Sequence, residues 1–463
     1  MKRDLASDIP KKEGKEVSLY GWVNKRRDHG KIIFLDLRDS SGIIQVVATP
    51  KNEKAYKVAS KLGSEDVINV LGIVNPRPES NINADIETGK VEVIAGQINL
   101  INKAEELPIP VEGDGRDIEE KARFKYRHLD LRRERLQKNL KVRHKFVKLI
   151  HEFLDSKEFT EIETPYLSQS TPEGARDFLV PSRLQKGKFY ALAQSPQQYK
   201  QLLMIAGFER YYQLARAFRD EDLRADRQFE HTQVDIEMAF VEREDVMSLV
   251  EEMIIFSFEK LGKKIAKKPF PVISFKEAKD KYNTDRPNLK EGEDSLSFLW
   301  VIDFPLFEKT ESGGYTFAHN PFASPKDEYV KDLMNKKNLD SLQSLQYDLV
   351  CNGEEVGGGS IRITDPAIQR QVFRIMGYAD SKIDEQFGHL LSAYNFGAPT
   401  HGGIALGLDR LVALVTGEDN IREVMAFPVA SSGQTSVMNA PSKVDSKQLK
   451  ELGINIKADN EKE

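Results

Sequence analysis

The chain has 463 residues, 40% hydrophobic and 30% charged, with a formal net charge of −5. That is enough apolar material for a buried core in roughly two to four domains, and the charge balance excludes a protein that binds polyanions over its whole surface. One cysteine, Cys351, excludes an internal disulfide framework and a zinc cluster; with no signal-peptide core at Met1–Asp8 and no long apolar run, a cytoplasmic protein without a membrane span is expected.

Residues 16 to about 105 read as short strands: Val17–Val23, Ile32–Leu37, Ile43–Val47, Asp66–Val74 and Val91–Ala95. A helical pattern, Lys54–Leu62, sits between the third and fourth. Five strands with a helix after the third is the order of an OB barrel, whose second and third strands commonly bind oligonucleotides; a generic small barrel remains open. The first domain is therefore set at 1–106. The basic run Asn24-Lys-Arg-Arg-Asp-His-Gly30 would meet phosphates, and Phe34 either stacks a base or fills the barrel.

Residues 107–135 read as a hinge, opening with Leu107-Pro-Ile-Pro-Val111. Between Arg123 and Lys148 eleven Lys or Arg stand against two Asp or Glu, which suits a solvated basic helix or an RNA-facing surface. A helix is expected from Glu134 to about Ser156, with Leu136, Leu140, Phe146, Leu149, Ile150 and Phe153 mostly three or four apart. Strands and helices mix through 136–442, an α+β pattern, and 443–463 is a polar, helix-prone tail. Nine of the eighteen residues Phe218–Asp235 are charged, between an apolar strand (Tyr211–Phe218) and an alternating one (Glu230–Glu237). The result is a hairpin presenting cations and carboxylates, either solvated or suited to a triphosphate, because Arg offers planar donors to phosphate oxygens.

Three segments in order resemble the motifs of class II aminoacyl-tRNA synthetases: Phe159-Thr-Glu-Ile-Glu-Thr-Pro165, Phe218-Arg-Asp-Glu221 with its loop, and Gly402-Gly-Ile-Ala-Leu-Gly-Leu-Asp-Arg-Leu411. Thr171-Pro-Glu-Gly-Ala-Arg-Asp-Phe178, Gln194-Ser-Pro-Gln-Gln-Tyr-Lys200 and Glu355-Val-Gly-Gly-Gly-Ser-Ile-Arg362 are similar to the bacterial-type aspartyl-tRNA synthetase family, over roughly residues 15 to 442. The resemblance implies an N-terminal OB-fold anticodon domain and an antiparallel-sheet class II core. It implies ATP and Mg2+, L-aspartate and tRNA-Asp as ligands, and a homodimer through the motif that ends at Pro165. The family carries an inserted domain where this chain has only an abbreviated remnant, 276–297.

Residue by residue, the resemblance assigns catalysis to Arg219, Glu221 and Arg410. Aspartate would be held by Glu173, Ser195, Gln197, Lys200, Arg219, Gln233, Asp235, His319 and Arg362. ATP would be held by Arg219, Asp220, Glu221, Gln228, His231, Glu355, Gly407, Leu408, Asp409 and Arg410, with Glu355 also the candidate Mg2+ ligand. Arg27, Phe34, Gln45 and Glu92 match anticodon-facing positions. The residue types fit the chemistry. Adenylation needs two anions brought together with their charge neutralised, and a short carboxylate side chain needs fixed cations.

Four positions depart from the pattern. His231 stands where the family usually stacks a Phe on adenine, and Asn320 replaces a second histidine after His319. His29 stands where family members restricted to tRNA-Asp tend to carry Leu, and Ser80 lies near the position where they carry Lys. The resemblance thus implies relaxed specificity toward tRNA-Asn, which requires a partner amidotransferase. Asparaginyl- or lysyl-type synthetases and a non-catalytic tRNA-binding paralogue are the alternatives at this point.

Overall fold

Period-two alternation shapes the first unit of the chain, Met1–Pro110. In the computed structural model, which describes residues 2–171, 174–292 and 295–457, its strands are β1 (Glu16–Asp28), β2 (Ile33–Asp39), β3 (Gly42–Ala48), β4 (Val67–Pro76) and β5 (Val91–Asn102). They close a barrel in the order β1-β2-β3-β5-β4. In β2, Ile33, Leu35 and Leu37 are buried in the barrel core, so Phe34, Asp36 and Arg38 fall on the outer face. Helix α1 (Glu53–Ala59) starts where the Asn52 side chain caps Ala55 N–H, and it buries Ala55 and Ala59 against the barrel core.

The second unit, Val111–Glu463, begins with α2 (Glu120–Lys125), α3 (Arg127–Asp130) and α4 (Glu134–Ser156). Residues 111–135 therefore belong to a folded unit and are not a free hinge. The basic stretch divides: Lys125, Lys138, Lys141, Lys145 and Lys148 are exposed, as a solvated face requires, but its arginines are not. Arg123, Arg127 and Arg133 are buried around Asp130, which accepts from Arg127 Nη1 at 2.6 Å and Arg133 Nε at 2.7 Å. Arg123 and Arg135 both reach Glu423, at 2.8 and 2.7 Å, and Arg135 also reaches Glu418. Charge density in the sequence counted cations but could not see carboxylates from almost 300 residues downstream folding onto them.

After α4 come β6 (Thr160–Glu161), β7 (Leu167–Ser168), β8 (Leu179–Pro181), β9 (Phe189–Leu192), α5 (Gln197–Ile205), β10 (Arg210–Phe218), β11 (Glu230–Ala239) and α6 (Arg243–Lys260). Then follow β12 (Val272–Ser274), α7 (Phe275–Tyr282), β13 (Phe298–Ile302), β14 (Phe307–Lys309), β15 (Tyr315–Phe317), α8 (Val330–Met334), β16 (Gln346–Cys351) and β17 (Glu354–Ile361). The last elements are α9 (Pro366–Ile375), α10 (Asp380–Tyr394), β18 (His401–Gly407), α11 (Leu408–Thr416) and α12 (Ser446–Leu452). One eight-stranded sheet runs β12-β13-β16-β17-β18-β11-β10-β6. Its interior pairs are antiparallel, but the two outermost, β12–β13 and β6–β10, are parallel.

Alternation along β11 decides the sheet's two faces. Val234, Ile236 and Met238 join the core formed with Phe146 and Ile150 of α4, Val250 and Ile254 of α6, and Leu411 and Val412 of α11. Gln233, Asp235 and Glu237 therefore point to the opposite face. Cys351 is buried in the same core, and burial pushes its thiol up to about 12, so it behaves as a small hydrophobe. Among the described residues no helix is long and apolar enough to cross a membrane.

Candidate active site

The polar face of β11 meets α5. Lys200, one helical turn after Gln197, is buried with its Nζ 3.2 Å from Asp235 Oδ1 and 3.2 Å from Glu237 Oε2. From the end of β17, Arg362 donates to both Glu237 oxygens, from Nε at 2.9 Å and Nη2 at 3.1 Å, and from Nη1 to Ser360 Oγ at 2.8 Å. Two buried cations and two buried carboxylates thus form one cluster. Burial pushes the Asp235 carboxyl up against the pull of Lys200. Burial also works to raise Glu237, but Arg362 and then Lys200 outweigh it and hold that carboxyl well below its ordinary range. The backbone makes room: a Cβ on Gly403 would lie 2.0 Å from Glu237 Oε2.

Among the described residues several polar atoms here are buried without a protein partner: Gln233 Oε1, Asp235 Oδ2, Gln197 Nε2 and Arg219 Nε. Buried polar groups are nearly always paired, so orphaned acceptors and donors around one spot mark a place for a ligand that carries both kinds of group. Ser195 lines an adjoining cavity of about 250 Å³ with Gln194, Gln198 and His389. Glu173, the expected ammonium acceptor, lies outside the described residues.

The nucleotide side is built from the β10–β11 hairpin and the start of α11. Arg219 closes the hairpin by donating its N–H to Phe229 O at 2.7 Å, while its guanidinium makes no side-chain hydrogen bond or ion pair among the described residues. His231 sits opposite Ala217 in the hairpin. Burial, then the charges of Arg219, Arg410 and Arg216, pull its imidazole down to about 3, so the ring is a neutral plane at physiological pH. Arg410 donates from Nη1 to the Glu355 carbonyl at 2.6 Å and from Nη2 to Asp226 at 3.1 Å. It borders an open depression of about 670 Å³ with Asp226, Lys263, Asn288, Lys290 and Asn352. Glu221 is paired with Arg227 at 3.1 Å, and Asp220 lies 3.8 Å from Arg176.

Three expected nucleotide ligands are turned elsewhere. Gln228 is buried, donating to Arg227 O at 3.2 Å and accepting from Val429 N–H at 2.8 Å. Leu408 packs in the main core. Asp409 is buried and accepts from Thr232 N–H at 2.9 Å and from Arg143. The motif wording placed these residues beside Arg410 and Arg219 but could not say that their side chains are buried. Gly407, between Leu406 and Leu408, sits opposite Gln233 in the sheet and leads into α11.

His319 is half-buried, edge-on to Phe304 with ring centres 4.4 Å apart, and its Nδ1 lies 3.6 Å from Asp348 Oδ2. The structure thus pairs it with Asp348 and not with Lys200 or Arg362. Its neighbour Asn320 reaches Ser360 Oγ at 3.3 Å, the atom that also receives Arg362. Asp348 and Glu355 converge beside Gly358, where a Cβ would lie 2.9 Å from Asp348 Oδ1 and 3.6 Å from Glu355 Oε1. Burial, then the Glu355 charge, pushes the Asp348 carboxyl well up. Two carboxylates crowded in this way fit a divalent cation that takes its remaining oxygens from phosphates and water. Among the described residues no group of three or more acidic, His or Cys ligands could hold a metal without such help.

Glu237, Asp348 and Asp226 were missed in the sequence. Glu237 had a signal, because it continues the period-two series of Gln233 and Asp235. Asp348 had none, since its strand reads as ordinary core.

On the barrel, Arg27 donates to both oxygens of Asp36, at 2.6 and 2.7 Å, and to Gln45 Oε1 at 3.2 Å; Gln45 donates to Glu92 at 2.9 Å. Phe34 is half-buried on the outer face, edge-on to His29 with ring centres 5.5 Å apart, and so does not fill the barrel. Arg77, missed in the sequence, has its Nε 4.0 Å from Glu92 Oε2 and a buried Nη2 without a partner among the described residues. His29 and Ser80 are both exposed.

A family model described as tRNA synthetases class II (D, K and N) matches residues 119–431, and one described as an OB-fold nucleic acid binding domain matches 17–101. The chain is 39% identical to the aspartate–tRNA(Asp/Asn) ligase of Halothermothrix orenii, covering 96% of each protein, and 39% identical to the aspartate–tRNA ligase of Macrococcus caseolyticus, covering 96% of this chain and 97% of that one. The first alignment spans 571 positions against 463 residues here, so at least 108 of those positions have no counterpart in this chain. Among solved structures, asparaginyl-tRNA synthetase from Pyrococcus horikoshii with asparaginyl-adenylate superposes with a TM-score of 0.75 at 25% identity, covering 92% of this chain and 98% of that one. Aspartyl tRNA synthetase from Entamoeba histolytica does so at 0.72 and 22% identity, covering 92% and 91%. With its barrel, its antiparallel core and near-complete alignment to these ligases, the chain belongs to the class II tRNA synthetases of the D, K and N group, among the bacterial-type aspartyl-tRNA synthetases.

Proposed function

We propose that the protein ligates L-aspartate to tRNA-Asp through an aspartyl-adenylate and also charges tRNA-Asn. The observation that carries this reading is the buried Lys200–Asp235–Glu237–Arg362 cluster with orphaned polar atoms around it. The cations of that cluster suit a short side-chain carboxylate, and an amide in its place would set an NH2 group against buried donors. The substrate's α-carboxylate then attacks the α-phosphorus of ATP, and the bond to the leaving pyrophosphate breaks. Arg219 would neutralise the α-phosphoryl charge, Arg410 would hold the far phosphates, and His231 would offer a neutral face to adenine. Asp348 and Glu355 would hold Mg2+, which when bound offsets phosphate charge. The 3′-terminal hydroxyl of tRNA attacks the mixed anhydride and AMP leaves.

His29 and Ser80 in the barrel support the wider tRNA range, and the Halothermothrix orenii relative is named as an Asp/Asn ligase. In that case an amidotransferase would act on the Asp-tRNA-Asn. Exposed Tyr166, Leu167, Leu179, Leu184, Phe189 and Tyr190 around β7–β9 support a homodimer. A cytoplasmic location completes the reading. Parallel aspartylation of purified tRNA-Asp and tRNA-Asn tests it: comparable charging of both is expected. A preference for tRNA-Asp above a hundredfold would remove the wider range, and charging of neither would remove the reading.

A further inference from the structure

Asp409 was expected at the nucleotide, yet it faces away from it and ties three elements together. Its Oδ2 accepts Thr232 N–H of β11 at 2.9 Å, and its Oδ1 takes Arg143 Nη1 of α4. Arg143 also donates from Nη2 to Thr232 Oγ1 at 3.2 Å, and Nη1 lies 3.4 Å from the Val424 carbonyl. Thr232 receives a further bond from Arg216 Nη1 at 3.1 Å. Asp409 is 3% exposed, so its charge is held by these partners and by little solvent.

The neighbours of the tied residues are the nucleotide groups. Thr232 stands between His231 and Gln233, whose side chains project to the other face of β11. Asp409 directly precedes Arg410. A shift of α11 along β11 would break the Asp409–Thr232 bond and carry Arg410 away from Glu355 and from the hairpin that presents Arg219. Apart from Asp409, which faces away from the nucleotide, Arg143 touches none of the candidate ligand groups, yet it completes this joint from α4.

We propose that Arg143 is a positioning residue for the nucleotide half of the site, acting through Asp409 and Thr232 to hold Arg410 and His231 in register. The inference rests on the adenylation reading above. It also separates the two halves of the site: the Lys200–Glu237–Arg362 cluster is tied by its own bonds and does not include the Arg143 joint.

The test is aspartate-dependent ATP–pyrophosphate exchange with Arg143→Met, Asp409→Asn and the double variant, each checked for folding by circular dichroism. Arg143→Met is expected to raise KM for ATP tenfold or more while KM for aspartate stays within twofold. The double variant is expected to match the more affected single one, because both changes break the same joint. If Arg143→Met fails to fold, Asp409→Asn carries the same expectation, since it keeps the acceptor for Thr232 and weakens only the charge. Equal rises in both KM values, or no rise in either, would overturn the inference. Absence of exchange in the unsubstituted protein would instead overturn the adenylation reading.

Discussion

Glu237 accepts two hydrogen bonds from Arg362, at 2.9 and 3.1 Å, in a site where both side chains are almost wholly buried. Lys200 approaches the same carboxylate, so Glu237 is shared between the two cations expected to meet the substrate side chain. Removing one member of a buried ionic cluster costs about 3–5 kcal/mol, because the others stay buried without a partner. Glu237→Gln is therefore expected to lower kcat/KM for aspartate by about a hundredfold or more, since each 1.4 kcal/mol is about tenfold. Exchange kinetics at varied aspartate check this, and an unchanged kcat/KM for aspartate would contradict it.

His231 gives a pH signature. The unfolded chain takes up a proton on this residue as pH falls through about 6.5, while the folded protein holds the ring neutral until about 3. The folded state therefore loses stability relative to the unfolded one across that window and is unaffected above it. His231→Phe removes the titrating group and supplies the larger stacking plane. Its stability advantage over the parent is expected to grow from pH 6.5 downward, with KM for ATP equal or lower. Denaturation midpoints at pH 7.5 and 5.0 and an ATP titration measure both effects.

Asp130 anchors the segment that precedes α4. Burial works to raise its carboxyl, but Arg123, Arg133 and Arg127 outweigh it and hold it below the ordinary value of 3.8. Its contribution is complete at neutral pH and is lost only as pH falls through that lowered value. Asp130→Asn removes the carboxylate that Arg127, Arg133 and Arg123 share, of which Arg123 alone keeps Glu423, and is expected to destabilise the second unit by about 3–5 kcal/mol. Thermal denaturation at pH 7 checks it; a change within 0.5 kcal/mol, the range of ordinary surface substitutions, would show that the cluster is idle.

Phe34 separates tRNA recognition from chemistry. Losing a stacked base costs about 1–3 kcal/mol. Phe34→Ala is expected to weaken tRNA binding by that amount and to leave aspartate-dependent exchange unchanged, which filter binding and exchange assays distinguish.

Legibility in the sequence followed periodicity and motif wording. Strand alternation was legible in β2, where Ile33, Leu35 and Leu37 face the barrel core, but the sequence left open whether Phe34 stacks or fills the barrel, and Glu237, which continues the series Gln233, Asp235, was overlooked. Alternation gives no guide to the run Gly407–Arg410, where the chain passes from β18 into α11, Leu408 and Asp409 are buried and Arg410 borders the depression. Long-range pairing was invisible: nothing near Asp130 announces Glu423, and nothing near Arg143 announces Asp409, because ion pairs across some 270 to 300 residues leave no local pattern. Asp348 stayed hidden for a related reason. A single carboxylate in an apolar strand looks like an irregular core position until the fold sets it beside Glu355.

The most direct measurement is ATP–pyrophosphate exchange with purified protein and aspartate, asparagine or lysine as the only amino acid. The Lys200–Arg362 cluster requires exchange with aspartate at least about a thousandfold above the amide analogue, because an amide leaves buried donors unpaired. Exchange that favours asparagine or lysine, or none with any of the three, would contradict the assignment of that cluster to a side-chain carboxylate.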